Sequence, residues 1–225
     1  MSSGPQVTRI SPWWLLPPAL LIALNVASAS SAPKRTNGIY DANLIALAAV
    51  SALILGGYAL LAAWLSRGEP ADVLALRRPR EPPRRVALQV AASVVVIVVA
   101  ALVLEPFLHA DREQGITPTR TPHGDEWVAL VLALVVLGLL TPLCEELLFR
   151  GLIFAALGRF AVPGSAVLFA LAHGIPALIP PVLVAGLVLG ELRRRTGSVW
   201  PGVATHATVN TGSILVSLLA AAVGG

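Results

Sequence analysis

The chain has 225 residues, 56% of them hydrophobic and 12% charged, with a net charge of +4 and a mean hydropathy of +0.79. Soluble domains carry about a quarter charged residues, so most of this surface faces something other than water. A soluble enzyme, a disordered tail and a disulfide-rich secreted module are excluded together. Fifteen of the 16 basic residues are arginine, and no basic stripe is interleaved with stacking aromatics. The excess therefore reads as topology-setting loop charge, with no nucleic-acid partner expected. The single cysteine, Cys144, rules out an internal disulfide and a cysteine-based zinc site.

A bilayer crossing needs about 20 apolar residues, and the pattern predicts an all-α, polytopic transmembrane bundle of about seven spans. The first runs from Trp13 to Ala32, opening on a tryptophan pair suited to the headgroup boundary. Its small-residue end, Val26 to Ala32, imitates a signal-peptidase site, but Pro17-Pro18 and Asn25 interrupt the apolar region, which favours a retained span. The second is Ala42–Leu65, followed by a basic, proline-broken loop from Ser66 to Arg85. The third is Val86–Leu108, and His109–Glu126 is a polar loop.

From Trp127 a helical pattern continues through Pro142 to about Arg159, longer than one crossing, which predicts a tilt or a kink at Pro142. Val162-Pro163-Gly164-Ser165 reads as a tight turn. A short apolar helix then reaches Ile175, a proline-rich break follows at Pro176, Pro180 and Pro181, and another helix ends at Arg193-Arg194-Arg195. The last span is Trp200–Val223. Residues 1–126 thus form an N-terminal membrane part of three spans, and 127–225 a helical core of four.

Basic loop residues orient the spans. With the N-terminus inside, Arg9, the six loop arginines, Arg150, Arg159 and the arginine triplet put 12 charges on the inner side, against four outside at Lys34, Arg35, Arg112 and Arg120. The expected location is the cell membrane, multi-pass, with a cytoplasmic N-terminus.

Ionisable side chains inside a membrane helix cost several kcal/mol and are functional candidates by default. Three clusters break the apolar pattern: Glu145-Glu146 with Arg150, then His173, then His206 with Asn210. At about 1.5 Å per helical residue, Glu145 lies about 24 Å back from the turn near Ala161 and His173 about 18 Å beyond it. His206 and Asn210 lie about 12 and 18 Å in from the turn near Ser198, on the same side of the membrane. Two carboxylates, two imidazoles and an amide can therefore meet. Glu146 and Arg150 are i,i+4 and predict an ion pair, while Glu145 is rotated about 100° and faces elsewhere. Phe169–His173 and His206–Asn210 share the i,i+4 spacing.

Glu145-Glu146-Leu-Leu-Phe-Arg150 resembles the E-E-x-x-x-R motif of the CPBP (Abi) intramembrane proteases, which include the CAAX prenyl endopeptidases. Phe169-Ala-Leu-Ala-His173 resembles their F-x-x-x-H motif and His206-Ala-Thr-Val-Asn210 their H-x-x-x-N. Three motifs in order carry the resemblance, from Glu145 to Asn210. It implies an intramembrane endopeptidase cutting a peptide bond near the cytoplasmic side, with Glu145 as general base and His173 helping to position and activate water. His206 and Asn210 would supply oxyanion donors, with Glu146, Arg150 and Phe169 in support. The implied partners are a protein or peptide substrate, membrane-anchored in some cases, and the bilayer itself.

Two histidines and a glutamate, His173, His206 and Glu145, also make a conceivable zinc set with an open position. No H-E-x-x-H or other tightly spaced ligand pair is present, and Asn210 suits an oxyanion better than zinc, so a cofactor-free glutamate mechanism is expected. A non-catalytic scaffold keeping the polar cluster for stability is the alternative function. A proton-coupled transporter is a third, disfavoured by the lack of an inverted repeat. Cys144 as a nucleophile paired with His173 ranks below a buried packing role. His109 and His123 read as solvated loop residues, Glu105 as interfacial, and Asn25 has no partner in the pattern.

Overall fold

The computed structural model describes residues 10–29, 38–66, 68–110, 118 and 120–224, without the side chains of 24–29 and 224. Arg9, Lys34, Arg35, Arg67, Arg112 and the Asn25 side chain lie outside what is described, as do residues 30–32 of the candidate cleavage region. Among the described residues the molecule is a helical bundle without strands: α1 (Leu16–Ala29), α2 (Ala42–Leu65), the short α3 (Pro70–Val73), α4 (Pro83–Leu108), α5 (126–157), α6 (Ala161–Ala172), α7 (Ile179–Thr196) and α8 (Trp200–Gly224). Five described helical stretches are long and apolar enough to cross a membrane, and Pro12–Ala23 is a shorter apolar one. Large apolar side chains such as Leu53, Val95, Leu102 and Leu219 stay exposed around the outside, as lipid contact requires. This is a multi-pass membrane bundle.

Small residues set how closely the helices approach. The buried face of α2 is Ala52, Gly56, Ala59 and Ala63, and a Cβ at Gly56 would stand 2.7 Å from Cys144 Sγ on α5. Cys144 is thus a packing residue against α2. Gly186 on α7 meets Ala166 on α6, where a Cβ would come within 2.9 Å of the Ala166 Cα, and Gly190 meets Val162 one turn on. Interfaces of this kind rely on van der Waals contact, because lipid supplies no hydrophobic drive between spans. Asp41 caps α2, its Oδ1 accepting from Asn43 N at 2.9 Å.

Helix α5 accommodates Pro142 by changing its winding. It is π-helical over Val136–Leu140 and again over Leu147–Ile153, with a short α-helical stretch, Thr141–Glu146, between them. Such widened turns recur at functional sites.

Two turn positions differ from the sequence expectation. The reversal after α5 is made by Gly158, at φ 55°, in the 3₁₀ turn Gly158–Phe160, and Val162-Pro163-Gly164-Ser165 is the first turn of α6. A proline in a first helical turn loses no hydrogen bond, so it starts a helix as readily as it breaks one. The same holds downstream: Gly174, at φ 69°, makes the break, and Pro180 and Pro181 open α7. With 12 residues α6 rises about 18 Å, less than the hydrocarbon thickness, so His173 at its end sits within the bundle.

Candidate active site

Pro142 has no N–H to give to the preceding turn, and the widened winding loosens its carbonyls further. Helix α8 supplies the missing donors: Asn210 Nδ2 donates to Leu137 O at 3.1 Å and Thr211 Oγ1 to Gly138 O at 3.4 Å. Gly138 leaves room for this, since a Cβ there would stand 2.5 Å from Thr211 Oγ1. A defect in one helix thereby fixes the register of another and brings His206, one turn earlier, beside the two glutamates.

Glu146 and Arg150 are fully buried, at 0% exposure each. Arg150 Nη1 lies 3.1 Å from Glu146 Oε1, a contact of charge rather than a well-aligned hydrogen bond. Arg150 Nη2 donates to Gly186 O at 3.3 Å, and its guanidinium lies over the Phe169 ring, 4.2 Å from the centroid. Glu146 Oε1 also accepts from His206 Nδ1 at 3.2 Å. An ionised carboxylate only accepts, so His206 carries its proton on Nδ1 and turns Nε2 toward Glu145 Oε2, 3.7 Å away. His173 Nδ1 stands 2.9 Å from Phe169 O, which fixes the proton on that nitrogen and leaves Nε2 as an acceptor. Phe169 packs edge-on against both imidazoles, with centroids 5.0 Å from His173 and 5.6 Å from His206.

Glu145, His173, His206 and Asn210 come from α5, the end of α6 and α8, and all line one cavity of about 350 Å³. Phe169 shares the lining, while Glu146 and Arg150 stand behind it. His109 and His123 are exposed, away from the cavity.

The cavity has two polar residues that sequence reasoning did not place there. Glu105 lines it from α4, although its position before Pro106 reads as interfacial. The available signal is phase: Ile97, Ala101, Leu104, Glu105 and Leu108 recur at helical spacing, and all five line the cavity. Thr141, one turn before Glu145, is the other, and its buried Oγ1 has no hydrogen-bond partner among the described residues. A helical threonine ordinarily bonds the carbonyl four residues back, and here Leu137 O is taken by Asn210. Removing an unsatisfied hydroxyl at constant shape costs nothing in hydrogen bonding. Thr141→Val is therefore expected to leave the thermal midpoint unchanged or slightly raised, which differential scanning fluorimetry would check.

Among the described residues no three His, Cys, Asp or Glu side chains come together as a metal-binding group. His206 presents its nitrogens to two different carboxylates, Nδ1 to Glu146 and Nε2 toward Glu145.

Residues 127–212 match the model of a family described as type II CAAX prenyl endopeptidase Rce1-like. This part of the chain is similar to that family. The match spans all three motifs and runs from α5 into the first half of α8, which agrees with the CPBP resemblance read from the motifs. No curated protein and no solved structure matches the chain.

Proposed function

We propose that this chain is an intramembrane endopeptidase that hydrolyses a peptide bond with a glutamate-activated water. The observation that carries the reading is the convergence of Glu145, His173, His206 and Asn210 on one cavity. Glu145 takes a proton from water as the water oxygen bonds to the scissile carbonyl carbon, and the carbonyl π pair moves onto oxygen. His173 Nε2 accepts the other water hydrogen and orients the nucleophile. The oxyanion receives the second N–H of Asn210 and, when the His206 ring carries a proton on each nitrogen, its Nε2–H as well. Collapse re-forms the carbonyl, breaks the C–N bond, and returns the proton from Glu145 to the leaving amine.

Glu146 and Arg150 then act through His206, holding its ring by Nδ1. The substrate class is a protein or peptide presented at the membrane, and cleavage falls toward the cytoplasmic side. Trapping with Glu145→Gln in native membranes, followed by peptide identification, tests the function. A peptide retained by the variant and cut by the unaltered protein supports it, and failure of the unaltered protein to cut any trapped peptide overturns it.

We read the mechanism as metal-free, because the sequence has no H-E-x-x-H or other tightly spaced ligand pair and Asn210 suits an oxyanion better than zinc. Purified protein is expected to hold well under one zinc per chain and to keep its activity in chelator. Stoichiometric zinc, lost together with activity in His173→Ala, would reverse this assignment.

The orientation rests on the basic asymmetry of the loops. A cysteine at the exposed Arg78 is expected to resist impermeant maleimide in intact cells, while one at the exposed Asp125 is labelled. The opposite pattern would invert the molecule in the membrane.

A further inference from the structure

The loop between α2 and α4 lies directly against the turn joining α7 to α8. Arg80 N donates to Thr196 O at 2.9 Å, Val199 N to Ala75 O at 3.0 Å and Trp200 Nε1 to Leu76 O at 2.8 Å. Together they join two basic segments into one fixed surface. Among the described residues, its carboxylates are all engaged: Glu69 and Asp72 with Arg77, Glu81 with Arg85 and Gln89, and Glu191 with Arg194 and Arg195.

Arg80 and Arg193 have no carboxylate among the described residues, and they are neighbours. The Gly197 N–H donates to Arg193 O at 3.0 Å, and a Cβ on Gly197 would stand 2.7 Å from Arg80 Nε. Arg80 is tied to the same turn by its own N–H, which donates to Thr196 O. Arg193 is also held in place, its Nε donating to Arg150 O at 3.1 Å and its guanidinium lying 5.1 Å over the Phe154 ring. Two like charges, one exposed and one half-buried, oppose each other until an anion joins them. Guanidinium groups match phosphate oxygens in geometry as well as charge. Arg193 sits in the last turn of a candidate span and Arg80 on the loop packed against that turn, beside the half-exposed Trp200 that opens the next span, which is headgroup depth.

We propose that Arg80 and Arg193 form a binding site for a phosphate anion, carried by an anionic phospholipid at the membrane boundary. The site is separate from the cavity, and its occupancy is read by stability rather than turnover. A competing role for both arginines is to cap the C-terminal carbonyls of α7, and that role is indifferent to lipid.

The test is thermal unfolding of the full chain in detergent, with phosphatidylglycerol, phosphatidylcholine or inorganic phosphate added. At about 100 times its Kd, phosphatidylglycerol is expected to raise the midpoint by about 5 °C or more beyond phosphatidylcholine. Arg80→Gln should lose at least half of that difference, and Arg78→Gln, exposed on the same loop, should keep it. If Arg193→Gln fails to fold, Arg80→Gln alone decides. An equal rise with inorganic phosphate supports the site with a soluble ligand, whereas an inert phosphate assigns it to lipid. Equal rises with both lipids, or equal losses in Arg80→Gln and Arg78→Gln, would overturn the proposal.

Discussion

Glu145→Gln is expected to abolish peptide cleavage while the protein stays folded. Glu145 lines the cavity, and its closest charged contact is His206 Nε2, at 3.7 Å. No basic residue lies one turn ahead of it, where Phe149 stands. A base has to be free to take a proton, and an amide of the same shape cannot take one at neutral pH. General-base catalysis is worth about 10²–10⁴ in rate, so turnover should fall by roughly a thousandfold or more. The thermal midpoint should move little, since the amide keeps the volume and one acceptor. Turnover of a trapped peptide, measured beside a melting curve, checks both parts. A stable and fully active variant would leave the scaffold reading standing.

Glu146→Gln should show the reverse balance. Its carboxylate is fully buried beside a fully buried guanidinium, and the other contacts of Arg150 are one carbonyl and a ring face. Removing one partner of a buried ion pair costs about 3–5 kcal/mol, because the remaining charge is left uncompensated. For a chain of this size that is on the order of 10 °C in the midpoint. Part of the activity per folded molecule should survive, since the amide oxygen still accepts from His206 Nδ1. The double variant Glu146→Gln with Arg150→Met removes both charges and should recover much of the loss. A double variant no more stable than the single one would show that the ion pair is not what the single change breaks.

The contrast between the two adjacent glutamates was legible in the sequence, and it is a matter of phase. One residue of helix is about 100° of rotation, enough to send Glu145 into the cavity and Glu146 behind it. The meeting of α5, α6 and α8 followed from comparing depths from turns on one side of the membrane. The catalytic roles themselves rest on resemblance and await the experiments above.

Other features depend on partners that no local pattern names. Pro163-Gly164 is a stronger turn signal than Gly158, yet Gly158 turns the chain, because its positive φ suits the reversal while Pro163 suits a first helical turn. The docking of Asn210 and Thr211 onto Leu137 and Gly138 needs two helices to be seen together. So does the contact of Gly56 with Cys144, which explains a cysteine beside the motif without invoking its chemistry.

Helix α4 buries only Ser93 and Ile97, yet five of its residues form a wall of the candidate cavity. Most of its remaining surface is open to the surrounding acyl chains, which press on its outer face. The solvent of this molecule is therefore part of its architecture. A micelle, a nanodisc and a bilayer of different thickness present that helix with different lateral pressure, and the cavity's width will follow the medium as well as the sequence.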